Sequence, residues 1–296
     1  MSTETPLNVD ALLKLADARK ADNRLIVVFS DSKYLGVLLN WLIPLHRLGI
    51  RNYLIVALDE TIHAFLTERG FPSVLIEMDG PLEKLWHLRL VVLRELCAHG
   101  IDLIHSDIDA LWLRNPIAEY FSKDADDLVI SQGTAWPYEV VTRQGFVLCC
   151  GLFYLRSGPL SLALLDDLLR HIVLTNDDQT SLNYLLHGCI TWDRQLQNPY
   201  TFTFRGYTVT CSEAPIRGRH EKTGFTVTLL PHHLFQRFHM PEREAYVKHL
   251  FSEKTDQDKF ESFKQSGCLF LDEHWKDIAF DAESIEKIAI HTPSHA

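Results

Sequence analysis

The chain has 296 residues, 46% of them hydrophobic and 23% charged, which excludes collagen-like, disordered and mini-protein architectures. At this length one large domain buries a sizeable core without disulfide or metal staples. Its 29 Lys and Arg face 39 Asp and Glu, a formal charge of −10 with neutral histidines, which argues against general affinity for nucleic-acid phosphates or anionic membranes.

Residues 9–21 place Leu12, Leu13, Leu15 and Ala16 on one helical face, and Leu25 to Phe29 reads as a buried strand. Residues 34–48 have helical periodicity, with Pro44 expected to kink or end the helix early and Gly49 as a stop. Strand 53–57, a helix N-capped by Asp59 and ending at Gly70, strand 73–77, helix 82–98 and a strand beginning at Leu103 follow. Strands alternating with helices imply a parallel sheet covered on both faces, with ligands at the carboxyl ends of its strands. Beyond Pro116 the pattern loosens into strands over 127–132 and 146–156 and helices over 159–174 and 179–187. Period-two runs between Thr191 and Leu230 signal antiparallel strands, with residues 217–224 read as an exposed loop. No run approaches the roughly 20 apolar residues of a membrane span, and the N-terminus has no basic region followed by an apolar stretch. Six cysteines without a C-x-x-C pair suit a reducing compartment, so the expectation is a soluble protein working in a cytoplasm.

The most informative stretch is Leu103-Ile-His-Ser-Asp-Ile-Asp-Ala-Leu-Trp-Leu-Arg-Asn-Pro116, where an apolar strand ends in two acids one residue apart. Strand alternation puts Asp107 and Asp109 on one side, about 7 Å apart at Cα, so both reach one divalent cation directly or through water. Hard carboxylate oxygens favour Mg²⁺ or Mn²⁺. The bland alternative, solvated acids closing a strand, is weakened by the buried run before them and by Trp112 and Pro116 after them.

This segment resembles the metal-binding signature of the retaining nucleotide-diphospho-sugar transferases, the group that includes plant cell-wall xylosyl- and arabinosyltransferases. The resemblance extends over most of residues 24–186. It takes in Asn40-Trp41-Leu42, Arg47-Leu48-Gly49-Ile50, Val56-Ala57-Leu58-Asp59-Glu60, the strand from Cys150 to Ser157, and Asp178-Gln179 with Asn183. It implies an α/β glycosyltransferase-A (Rossmann-like) fold: a mixed, mostly parallel sheet flanked by helices, with a small antiparallel β portion. An N-terminal helix over 1–23 would precede one domain over 24–296, its nucleotide-binding half 24–116 and its donor-sugar and acceptor half 117–296.

Roles carried over by the resemblance remain expectations. Asp107 would face the ribose and the metal shell, Asp109 would ligate Mn²⁺ (or Mg²⁺) directly, and Ile108 between them joins the nucleotide-binding set. Phe29, Ser30, Asp31 and Tyr34 occupy the region that holds uracil and ribose, or else form an ordinary strand-to-helix turn. Arg89 stands where relatives usually carry Lys and would bind the diphosphate or sugar, with Lys84 a weaker stand-in. Asp178 and Gln179 would approach the donor sugar, with Asp177 next in line; a plain helix N-cap is the alternative. Cys150-Gly151 replaces an Asn-Gly pattern, removing a sugar-contacting amide. A late histidine would complete the metal site, and His291 is favoured over His239, His232 and His233.

The implied reaction is metal-dependent transfer of galactose, xylose or glucose, with retention, from a UDP-sugar to a hydroxyl of a glycan or glycoprotein acceptor. Contacts to that acceptor are expected from residues 192–240, among them Tyr200, Phe202, Arg217 and Arg219. An aspartate-nucleophile phosphohydrolase and a catalytically silent sugar-nucleotide binder are the alternatives.

Overall fold

The computed structural model describes residues 8–193, 198–252 and 255–290. Its first half runs α1 (Val9–Arg19), β1 (Arg24–Ser30), α2 (Leu35–Arg47), β2 (Tyr53–Ala57), α3 (Glu60–Glu68), β3 (Ser73–Leu75), α4 (Leu82–Ala98) and β4 (Asp102–Ser106). There follow β5 (Leu111–Trp112), β6 (Leu128–Gln132), α5 (Tyr138–Gln144), β7 (Leu148–Leu155), α6 (Pro159–Thr175) and α7 (Asp178–Leu186). The remainder holds β8 (Ile190–Trp192), β9 (Tyr200–Phe204), β10 (Tyr207–Cys211), β11 (Ile216–His220), β12 (Thr226–Leu229), β13 (Phe235–Gln236), β14 (Val247–Lys248) and α8 (Asp256–Gln265).

Nine strands form one sheet in the order β3-β2-β1-β4-β7-β6-β12-β11-β8. The first four are mutually parallel, and β7 runs antiparallel between β4 and β6. Strand β1 shows why both faces are covered: Ile26 and Val28 join α2 in one core, whereas Leu25, Val27 and Phe29 pack with residues of α1, α4 and α6 in the other. The chain order reverses between β1 and β4, and that switch point opens a crevice at the carboxyl ends of both strands.

Two local expectations change. Helix α2 continues through Pro44 to Arg47, because Pro44 lies in the last turn, and its carbonyl still accepts the Leu48 N–H at 3.0 Å. The start of the 217–224 stretch, read as loop, belongs to β11 (Ile216–His220), paired on both edges with β12 and β8; Gly218 is required where a Cβ would press on Trp192 and Ile190. The period-two run forms antiparallel strands as expected, with β9 and β10 as a separate small hairpin.

A strap after α8 returns to the first half of the molecule. Buried Asn40 in α2 donates to the Cys268 carbonyl at 3.1 Å and accepts from the Phe270 and Leu271 N–H groups at 2.7 and 3.0 Å. Among the described residues, no helix is long and apolar enough to cross a membrane.

Candidate active site

The crevice at the switch point widens into a cavity of about 650 Å³. Phe29, Ser30, Asp31 and Tyr34 line one end where β1 gives way to a 3-10 turn. That turn is fixed twice: Asp31 caps the Tyr34 N–H at 3.1 Å, and Asp59, the N-cap of α3, accepts the Ser32 N–H at 2.7 Å. Arg89, Asp107, Ile108, Asp109, Asp178 and Gln179 line the same cavity. Lys84 is not among its lining residues; its ammonium donates to the Asp79 carbonyl at 3.0 Å.

Asp107 follows β4 directly, and its N–H donates to the Gly151 carbonyl of β7 at 2.7 Å. The buried fork of Arg89 joins two carboxylates: Nε donates to Asp178 Oδ2 at 2.7 Å, Nη2 also reaches Asp178, and Nη1 donates to Asp107 Oδ1 at 3.0 Å. His105 completes this knot. Its Nδ1 meets the Val27 carbonyl at 3.1 Å, and its Nε2 lies 3.0 Å from Arg89 Nη1 and 3.2 Å from Asp107 Oδ1. Burial and the Arg89 charge both lower the pKa of the ring. Asp178 is buried and Asp107 half-buried; a carboxylate as deep as Asp178 would by itself cost several kcal/mol, and the guanidinium is the compensation it requires. Burial still pushes Asp178 up to about 6 against the pull of Arg89, with Asp177 and Asp107 adding to the rise.

Asp109 sits among cations from the last third of the described chain. His249, just after β14, places Nε2 at 3.2 Å from Asp109 Oδ1 and 3.7 Å from Asp107 Oδ2, and Lys259 of α8 pairs with Asp109 Oδ2. Burial opposes both ionised carboxylates, yet both are held well below the usual carboxylate range, Asp107 by His105 and Arg89 and Asp109 by Lys259 and His249. Burial and Arg237 oppose protonation of His249, and Asp109 overrides them, raising the ring to about 9. Arg237 in turn anchors the histidine backbone, Nη1 donating to the His249 carbonyl at 2.6 Å.

Asp107, Asp109 and His249 each present a ligand atom within 4.8 Å of the others. Two hard oxygens and one imidazole nitrogen suit Mn²⁺ or Mg²⁺ with positions left for a ligand. The fit extends to the backbone. A Cβ on Gly151 would collide with the His249 ring and stand 2.5 Å from Asp107 Oδ2, so the glycine is a cradle for this trio.

His291 lies outside the described residues. His232 is spent elsewhere, meeting Tyr200 Oη at 3.0 Å and accepting the Arg237 and Phe238 N–H groups at 3.2 and 3.1 Å. His239 borders a neighbouring cavity. Sequence reasoning missed His249, Lys259 and Arg237. The short apolar run Ala245-Tyr246-Val247 ahead of His249 was the available signal, too brief to distinguish from loop.

The sequence matches the nucleotide-diphospho-sugar transferase family over residues 48–263. The chain belongs to that family. Its sheet, with the reversal between β1 and β4 and the antiparallel β7, has the glycosyltransferase-A arrangement. Arabinosyltransferase RRA2 of Arabidopsis thaliana is 29% identical over 181 residues, covering 52% of this chain and 42% of that protein. Beta-arabinofuranosyltransferase RAY1 of the same plant is 22% identical over 182 residues, covering 56% of this chain and 33% of its own length. The chain thus spans less than half the length of these relatives. Among solved structures, galactosyltransferase LgtC with donor and acceptor sugar analogs is 15% identical, covers 54% of this chain and 69% of its own, and has a TM-score of 0.42.

Proposed function

We propose that this nucleotide-sugar glycosyltransferase moves arabinose from a UDP-sugar to a hydroxyl of a glycan or protein-linked acceptor, with retention at the anomeric carbon. The observation that carries the reading is the convergence of Asp107, Asp109 and His249 on one cavity at the sheet's switch point. The names of the curated relatives favour arabinose over the galactose, xylose or glucose first expected. Six free cysteines, five of them buried, support a reducing compartment such as a cytoplasm.

A divalent cation held by Asp107, Asp109 and His249 would supply Lewis acidity to the departing diphosphate. Without it, the three carboxylates Asp107, Asp109 and Asp178 face Arg89, Lys259 and a protonated His249, so these cations are already matched by acids and Arg237 is a further cation lining the cavity. Phe29, Ser30, Asp31 and Tyr34 would bound the uridine. Lys259, freed from Asp109, would meet diphosphate oxygen as a point charge. Arg89 is a positioning residue in this reading: it holds Asp107 toward the metal shell and Asp178 toward the sugar hydroxyls. Gln179, its amide fixed on the Trp136 carbonyl at 2.9 Å, would border the same sugar. A same-face reaction hands the acceptor proton to the leaving phosphate oxygen, so it needs no separate base.

The test is UDP release from UDP-arabinose, UDP-xylose, UDP-galactose and UDP-glucose with Mn²⁺, alongside calorimetric titration of UDP with and without the ion. We expect arabinose to be preferred, and Asp109→Ala to abolish Mn²⁺-dependent UDP binding and lower turnover by roughly a thousandfold or more. Phosphatase activity, or UDP binding indifferent to Mn²⁺, overturns the reading; binding without turnover points to a silent sugar-nucleotide binder.

A further inference from the structure

Besides Phe29 and Tyr34, the cavity is lined by a second set of aromatic rings, Trp136, Tyr138, Phe204 and Phe251. Trp136 is 46% exposed and Phe251 38%, a costly display of large apolar rings unless something covers them.

Trp136 is also immobilised. Its indole Nε1 donates to Thr180 Oγ1 at 2.8 Å, and its carbonyl accepts from Gln179 Nε2 at 2.9 Å, so both ties run to the first turns of α7, beside Asp178. Tyr138 meets the indole at 89° and stacks on Tyr207 of the hairpin at 4.3 Å and 7°. Phe204, the cross-strand partner of Tyr207, packs on Phe251 at 5.0 Å, and the Arg205 guanidinium lies over both rings at 5.5 and 5.3 Å. Arg205 and Gly206 both have positive φ, the tight turn that fixes this hairpin tip. Past Phe204 and Phe251, the space continues into a second cavity of about 430 Å³ that shares these rings and Arg237.

We propose that this aromatic lip binds a neutral oligosaccharide acceptor, with one ring lying on Trp136 and further rings running past Phe204 and Phe251. The inference rests on the proposed function, because the occupant is identified by continuity with the donor cavity. Sugar rings offer apolar C–H faces that pack on aromatic faces while their hydroxyls stay wet, so exposed, pinned rings suit them. The ties to α7 hold the stacking platform in register with Asp178, placing an acceptor hydroxyl beside the donor sugar. The second cavity gives room for more than one residue, and the chain's net charge of −10 disfavours a polyanionic glycan.

The test is calorimetric titration of the full chain, with UDP and Mn²⁺ present, with β-1,4-xylotetraose, α-1,5-arabinotetraose and β-1,4-galactotetraose. At least one should bind, and Trp136→Ala and Phe251→Ala should each weaken it by roughly tenfold or more without a matching loss of UDP affinity. Trp136→Phe, which keeps an aromatic face but removes the bond to Thr180, should retain most of the glycan affinity. The proposal fails if no oligosaccharide binds a chain that binds UDP, if both alanine variants bind as the parent does, or if UDP affinity falls in parallel with glycan affinity. Absence of UDP binding by the parent chain is a separate outcome: it removes the donor reading, whereas glycan binding that depends on Trp136 and Phe251 still upholds the lip.

Discussion

Asp107 and Asp109 are delivered from the end of β4, in the middle of the sheet, with β1 and β7 as hydrogen-bonded neighbours. His249 and Lys259 reach the same point on β14, a two-residue strand, and α8, a helix with one fully buried side chain, Phe263. The acidic half of the site is therefore held by the main sheet, and the basic half by a short three-stranded ladder and by a helix docked through Phe263. In the proposed reading the acids on the main sheet would pre-set a cation's position, and the groups that neutralise them would exchange partners when a charged ligand arrives.

The sharpest way to break this contrast is to act on the scaffold between the halves. Gly151→Ala should weaken Mn²⁺ binding by roughly a hundredfold, about as much as His249→Ala, because the new Cβ displaces the imidazole without touching its chemistry. The measurement is Mn²⁺-dependent UDP affinity by calorimetry together with the thermal midpoint. A normal affinity in Gly151→Ala would mean that the basic half yields at no cost.

Lys259→Met should have a smaller and divided effect. Removing the ammonium from Asp109 frees a carboxylate oxygen, so Mn²⁺ affinity should rise several-fold, while the KM for the donor should rise by about tenfold through loss of a diphosphate contact. Weaker Mn²⁺ binding in this variant would instead show that Lys259 positions Asp109.

Much of the first half was legible because its elements are local. The runs at β1, β2 and β4 are continuous and apolar, Asp59 announces α3, and the Asp-x-Asp pair follows its strand directly. His249 carried no such mark: its neighbours Val247 and Lys248 pair with Phe235 and Gln236 on one side and Leu111 and Trp112 on the other, contacts that no local periodicity encodes. The same reason hid β11, whose sequence Ile-Arg-Gly-Arg-His has loop composition but lies between two paired strands. Arg89 was singled out as a ligand for phosphate or sugar; that its fork ties Asp178 to Asp107 was visible only in three dimensions.

The smallest effect sharpens the comparison by probing one buried histidine in each half. Burial drives His46, bonded to Tyr53, and His232, bonded to Tyr200, each down to about 4 from 6.5. As the pH falls from 7 to 5 the unfolded chain takes up protons that the folded rings refuse, so stability should drop by roughly 2 kcal/mol per ring. Urea unfolding midpoints at the two pH values measure this, and His46→Gln should remove the N-terminal share. An unchanged pH slope in that variant would place the acid sensitivity elsewhere.

The clasp at Asn40 also bears on how the molecule is made. The carboxylates of Asp107 and Asp109 emerge from a ribosome well before Lys259, and the strap that follows Lys259 docks only when Cys268, Phe270 and Leu271 reach an amide in the second helix. A chain folded only as far as β4 holds Asp109 without His249 and Lys259, and the cost of desolvating an unpaired acid keeps water at the sheet edge. Neutralisation of Asp109 therefore waits for a group 150 residues further along the chain, and the strap that docks on Asn40 fastens that late segment to the first half of the fold.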